Sequence, residues 1–380
     1  MKRTRHIGVF PLAIAIFSMF FGAGNTIFPL LLGVEAKSRF GSAFLGLLLT
    51  SVGGPLLGLV TALLFQGKAK DFFSRFGKVI GMILLGSSLA LLGPLAVLPR
   101  CITVAHAAIT PIFPGVSLGI FALVFALLCL LCCYKESSLL SILGYVLSPL
   151  LLGCLLIIIL KGGLSGQTLA VSPLAGKEAF RHGILTGYHT MDLIAAIFFS
   201  SGIWNMIAMR KQTTPASTVK VTLRAGILAC ALLGLVYFGL GYTAALYAPS
   251  LEGVPPEQLI CHLALLTLGP IGAQVANAAV ALACLTTVIS LTMTISELLA
   301  QELLPKRIAY KKGCFFILAL AASLSLIGFE RIMAVIHAVV VVCYPIIIVL
   351  TLVNSFYKFR ELSRNKGAKD VRSPISPENG

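Results

Sequence analysis

Few residues in this sequence can do chemistry, and they lie in strongly apolar surroundings. The stretch FFGAGNTIFP, Phe20 to Pro29, places Gly22, Gly24, Asn25 and Pro29 inside one long apolar run. Gly costs about 1 kcal/mol relative to Ala in a helix interior, and Pro about 3 kcal/mol. The run therefore reads as a helix that stops and restarts. Such a break exposes amide N–H groups that favour an anion, such as a carboxylate, and carbonyls that favour a cation. The other reading of the same glycines is close helix packing through small residues. A dinucleotide-binding reading fails, because Ile27 stands where a third glycine is needed and no strand precedes it.

Three charged side chains lie well inside apolar segments: Arg100, Asp192 and Glu297. Such residues are costly in a bilayer and are functional candidates by default. Arg100 reads as a partner of Asp192, as a side chain facing a vestibule, or as one snorkelling to an interface. Asp192 reads as a ligand for a substrate amine, a proton or a cation, or as a helix N-cap. It ends the stretch TGYHTMD, Thr186 to Asp192, which is too polar for an ordinary lipid-facing turn. Glu297 reads as interfacial, and His106 and His337 as ordinary interior polar residues. Ala283–Thr287 with Ser290, Thr292 and Thr294 offers hydroxyl oxygens suited to Na⁺, although Ser and Thr in helices also bond their own backbone. The ten cysteines, with Cys129 and Cys132 in C-x-x-C spacing, read as small membrane hydrophobes rather than as a metal or redox site. No H-E-x-x-H, no G-x-S-x-G, no acidic pair with metal spacing and no repeated filter motif is present. The residues thus give no enzyme or channel reading.

The elements that must position these residues are membrane helices. The chain is 58% hydrophobic and 11% charged, with mean hydropathy +0.99, whereas soluble domains carry roughly 25% charged residues. A spanning helix needs roughly 20 mostly apolar residues. Ten runs qualify, at about 7–34, 41–66, 79–110, 115–134, 137–160, 186–209, 222–248, 271–301, 313–329 and 332–357. They are continuously apolar, which argues against a β-barrel. The basic segment Met1–His6 precedes an apolar run reaching Leu32, too long for a signal peptide, so it is kept as the first span. Of the Lys and Arg residues, 22 fall on one side of the alternation and 6 on the other. This places both termini in the cytoplasm and accounts for the net charge of +16 without nucleic acid. Spans one and six, both carrying polar interruptions, are equivalent in a five-plus-five inverted repeat. The expectation is an all-α integral membrane protein with residues 1–160 as the first repeat, 161–185 as an external loop, 186–357 as the second repeat and 358–380 as a cytoplasmic tail. Helix ends converging at the midplane suit a zwitterionic amino acid with a coupled cation.

FFGAGNTIFP, GPLAVLPR (Gly93–Arg100), GYHTMD (Gly187–Asp192) and ACLTTVISLT (Ala283–Thr292) occur in order, and together they resemble the branched-chain amino acid:cation symporter family. The resemblance covers about residues 7–357. It implies a secondary transporter of the leucine-transporter fold, with broken helices one and six, importing Leu, Ile or Val with Na⁺ or H⁺; a proton-coupled carrier with Asp192 as the proton site is the alternative reading. Methionine is close enough in size to compete, since one methylene discriminates by only about 1–3 kcal/mol. By position, the amides of Ala23 and Gly24 meet the substrate carboxylate, beside Asn25 and Arg100. Gly187, Tyr188, Thr190 and Asp192 line the amino acid pocket. A sodium site takes carbonyls near Ser18 and Phe21, the Ala283 carbonyl and the Thr286 and Thr287 hydroxyls. Typical members have twelve spans, and ten are counted here. The resemblance implies no cofactor beyond the coupling ion, no obligate protein partner, and a place in a bacterial-type cytoplasmic (inner) membrane.

Overall fold

The computed structural model describes residues 8–22, 26–134, 139–165, 167–208, 215–300 and 309–370. Among them every regular element is a helix. Span one is α1 (Val9–Phe20) followed by α2 (Ile27–Ala36). Span two is α3 (Phe40–Leu48) and α4 (Gly54–Leu64), joined through one wide turn at Leu49–Gly53. A short helix, α5 (Ala69–Phe73), leads to span three, α6 (Lys78–Leu92) and α7 (Val97–Ile109). Spans four and five are α8 (Leu118–Tyr134) and α9 (Leu139–Gly163). Span six is α10 (Gly176–Thr190) with α11 (Asp192–Ala208), and span seven is α12 (Pro215–Leu246). After the one-turn α13 (Ala248–Leu251), α14 (Leu259–Leu298) bends at Gly269, which has φ 74°, before Pro270. The part after the bend is span eight. Spans nine and ten are α15 (Tyr310–Ser325) and α16 (Phe329–Asp370).

The packing repeats when each span is exchanged with the span five places away. Span one packs on span seven through α1, α2 and α12, and span six packs on span two through α10, α11, α3 and α4. Span five touches span seven as span ten touches span two, and span four lies on span nine. Matching glycines make the two main crossings close. A Cβ on Gly33 would strike the Gly241 carbonyl, and a Cβ on Gly183 would strike the Ala43 carbonyl. Small residues at such crossings let helix backbones approach where lipid supplies no hydrophobic drive. Overpacking costs typically 1–3 kcal/mol, so Gly183→Ala is expected to lower stability by about 2 kcal/mol. A lower melting temperature in detergent measures this.

Both interruptions seen in the sequence are real, and the second falls inside the Thr186–Asp192 stretch. Span one stops at Phe21 (φ −85°, ψ 85°) and resumes at Ile27. Span six breaks at Met191 alone, in the left-handed region at φ 58°, ψ 18°. That conformation costs an L-residue roughly 1–2 kcal/mol and is held here by a fully buried side chain. Thr186–Thr190 form the last turn of α10 rather than the start of the span. The expected loop 161–185 is largely helical, because α9 runs to Gly163 and α10 starts at Gly176. Glu178 Oε2 accepts the Ala175 backbone N–H at 3.0 Å and so caps α10. Its polar first turns hide it from a hydropathy reading. Likewise, residues 249–270 hold α13 and the first turns of α14.

Candidate substrate and ion site at the broken helices

Arg100 is the largest fully buried side chain, at 0% exposure on α7. This rules out snorkelling. Its Nη1 donates to the His189 carbonyl at 2.8 Å, in the last turn of α10. The guanidinium carbon lies 4.8 Å from the Phe28 ring centroid on α2. Arg100 thus joins both broken spans. A cation at the carbonyl end of a half-helix is electrostatically favourable. Nε and Nη2 are buried without a hydrogen-bond partner, and such donors are expensive to leave unmet.

Across the Met191 break, Asp192 is 2% exposed and accepts a hydrogen bond from Tyr237 Oη of α12 at 3.4 Å. The first amides of α11 are partly satisfied, since Asp192 N–H donates to Thr190 Oγ1 at 3.5 Å and Leu193 N–H to Tyr344 Oη at 3.2 Å. Tyr188 packs against Tyr344 with ring centroids 4.8 Å apart and the rings tilted by 32°. His189 Nε2 lies 3.0 Å from His337 Nδ1 of α16. Gly187 faces away from the break, because a Cβ there would collide with Thr50 Oγ1. Its role in the structure is the close approach of α10 to span two. Thr190 Oγ1 donates to the Gly187 carbonyl at 2.9 Å.

The end of α1 meets span eight. A Cβ built on Gly22 would stand 3.5 Å from the Thr287 hydroxyl. Thr286 and Thr287 both donate to the Ala283 carbonyl, at 3.0 and 2.8 Å. Their oxygens keep lone pairs that can ligate a hard cation. Phe21 is buried at this junction, whereas the Ser18 side chain is exposed. Ala23, Gly24 and Asn25 lie outside the described residues. Glu297 is exposed, as an interfacial residue should be. His106 bonds the Val116 carbonyl at 2.8 Å. The reading of His337 as an ordinary interior residue is corrected, since it is exposed and pairs with His189. Tyr237 and Tyr344 carry no sequence signal of a place at the break, and His189 lies in the GYHTMD stretch expected there. Their partners lie 45 to 151 residues away in the chain, beyond any local pattern.

A cavity of about 370 Å³ opens beside Lys37, Pro173, Leu174 and Glu252. The Lys37–Glu252 ion pair and a His182–Glu35 contact border it, each at 3.3 Å.

Two broken spans in an inverted repeat, joined by a buried arginine, define the leucine-transporter fold. Solved structures of Mhp1, a nucleobase-cation-symport-1 family transporter, share this fold. The closed form with bromovinylhydantoin bound has TM-score 0.63 at 14% identity, covering 91% of this chain and 78% of that one. The inward-facing form has TM-score 0.57, also at 14% identity, covering 93% and 77%. The family described as Branched-chain amino acid transport protein matches residues 5–370, and the chain belongs to it. A Staphylococcus saprophyticus protein carrying the name branched-chain amino acid carrier is 31% identical, over 90% of this chain and 80% of its own length. A like-named Staphylococcus aureus protein is 30% identical, over 90% and 81%. The chain is accordingly a multi-pass membrane carrier, not an enzyme.

Proposed function

We propose that this carrier imports branched-chain or similar apolar amino acids (Leu, Ile, Val and Met) with Na⁺ by alternating access across a cytoplasmic (inner) membrane, with both termini cytoplasmic. The observation that carries the reading is the buried Arg100 with two uncommitted N–H donors at the helix-six break. A guanidinium fork matches a carboxylate bidentately. The positive dipole end of α2 favours the same anion, and the carboxylate there is expected to meet Ala23, Gly24 and Asn25. The substrate ammonium goes to Asp192 and the last carbonyls of α10. Tyr188 and Thr190 stand at the same break. Na⁺ sits where α1 ends against span eight, on carbonyls near Ser18 and Phe21, the Ala283 carbonyl and the Thr286 and Thr287 hydroxyls.

Na⁺ bound there ties the end of α1 to span eight and organises the first break. It drives transport only through its different affinities for the outward- and inward-open forms. Substrate with Na⁺ then permits closure over the midplane.

The test is competition in reconstituted vesicles. Labelled leucine exchange is expected to be inhibited by Leu, Ile, Val and Met, and not by Asp, Lys or leucine amide. Exchange that none of the apolar amino acids inhibits would overturn the reading.

A further inference from the structure

We propose that His189 and His337 form a proton-binding pair coupled to the substrate carboxylate at Arg100. The inference deepens the proposed function and rests on its reading of Arg100. The two rings stack with centroids 5.1 Å apart and share one short contact, His189 Nε2 to His337 Nδ1, at 3.0 Å. One ring is buried and the other is not. His189 is 9% exposed, while His337 faces outward on α16. His337 is eight residues into α16, which is about 12 Å along the axis at 1.5 Å per residue. The pair therefore links an exposed position to the helix-six break, and His189 Nδ1 is buried there without a partner.

In the neutral pair one N–H is shared between the facing nitrogens. When His337 donates it, Nε2 of His337 is bare and can take a proton. Adding that proton forms an N–H bond at Nε2. The shared hydrogen can then move from His337 Nδ1 to His189 Nε2, which carries the positive charge inward. Two imidazolium rings this close repel, so the pair holds one added proton.

The ionisable groups that act electrostatically on His189 are His337, Arg100 and His182. His182 is engaged with Glu35 of α2. Asp192 on α11 and Tyr237 on α12 lie across the break. Tyr344 shares α16 with His337, with Glu330 and Arg331 at its start, and Cys101 adjoins Arg100 on α7. The described residues of α3 offer no titratable group. Arg100 hydrogen-bonds the backbone of His189 itself. The guanidinium therefore repels a protonated pair, an effect that the Asp192 carboxylate offsets in part. A carboxylate on the two free donors removes that repulsion. By linkage, substrate then favours protonation and protonation favours substrate by the same factor.

The test uses the full chain in vesicles with equal Na⁺ on both sides. Leucine counterflow reports exchange without a gradient, and an acid-outside pH step reports proton drive. The wild type is expected to accumulate leucine under the pH step. The ratio of pH-driven uptake to counterflow is expected to fall at least tenfold in His337→Gln and in His189→Gln. His337 is exposed, so its variant does not depend on repacking a core. Counterflow in the wild type with no response to the pH step, or a wild-type ratio in His337→Gln, would overturn the proposal and leave the transport reading intact. Absence of wild-type counterflow would overturn the transport reading, and the pair with it.

Discussion

Leucine binding is expected to weaken roughly a hundredfold in Arg100→Gln. Removing one member of a buried, hydrogen-bonded charge pair costs about 2–5 kcal/mol, and each 1.4 kcal/mol is a factor of ten in affinity. Arg100→Lys keeps the charge but loses the planar fork, so its loss is smaller, about tenfold. Arg100 also donates to the His189 carbonyl, and its removal disturbs α10 as well. Leucinol, which lacks the carboxylate, separates the two effects. The wild type is expected to prefer leucine strongly over leucinol, and Arg100→Gln to narrow that preference. A loss that is equal for both ligands would assign Arg100 a packing role only.

The second large effect is expected at Thr287. Val has nearly the same shape as Thr but lacks the oxygen, so Thr287→Val removes a ligand without opening a cavity. The Na⁺ concentration giving half-maximal leucine uptake is expected to rise at least tenfold, about 1.4 kcal/mol of lost ion binding. Thr286→Val should shift it in the same direction. The reason is geometric. Thr287 is the hydroxyl lying within contact distance of a Cβ on Gly22, where α1 has ended. Uptake with an unchanged Na⁺ dependence in both variants would remove span eight from the ion site.

The two breaks differed in how legible they were. Gly22, Gly24 and Pro29 are poor helix residues in an apolar run, and α1 does stop beside them. Met191 carries no such mark. It is an ordinary helix former held in a left-handed conformation by its buried setting, so only the neighbouring polar residues pointed to span six. Their role shifted as well. Gly187 proved to be a contact surface for Thr50, and the polar first turns of α10 made a helix look like a loop. Arg100 was legible as unusual because charge is rare in spans. Its two unmet donors were not, because they depend on what surrounds the side chain after folding. The His189–His337 contact joins positions 148 residues apart. Hydropathy and motif spacing are local quantities and carry no trace of it. The repeat was legible at low detail, as ten spans with equivalent interruptions. Its physical basis, glycine crossings of span one on seven and six on two, appears only in the packing.

Labelled leucine uptake into vesicles holding the purified chain, with and without an inward Na⁺ gradient, tests the central claim most directly. A Na⁺-coupled carrier accumulates leucine above the external concentration under the gradient, loses it on adding a Na⁺ ionophore, and equilibrates only slowly without Na⁺. Uptake whose rate and final level are the same with or without the Na⁺ gradient would contradict it.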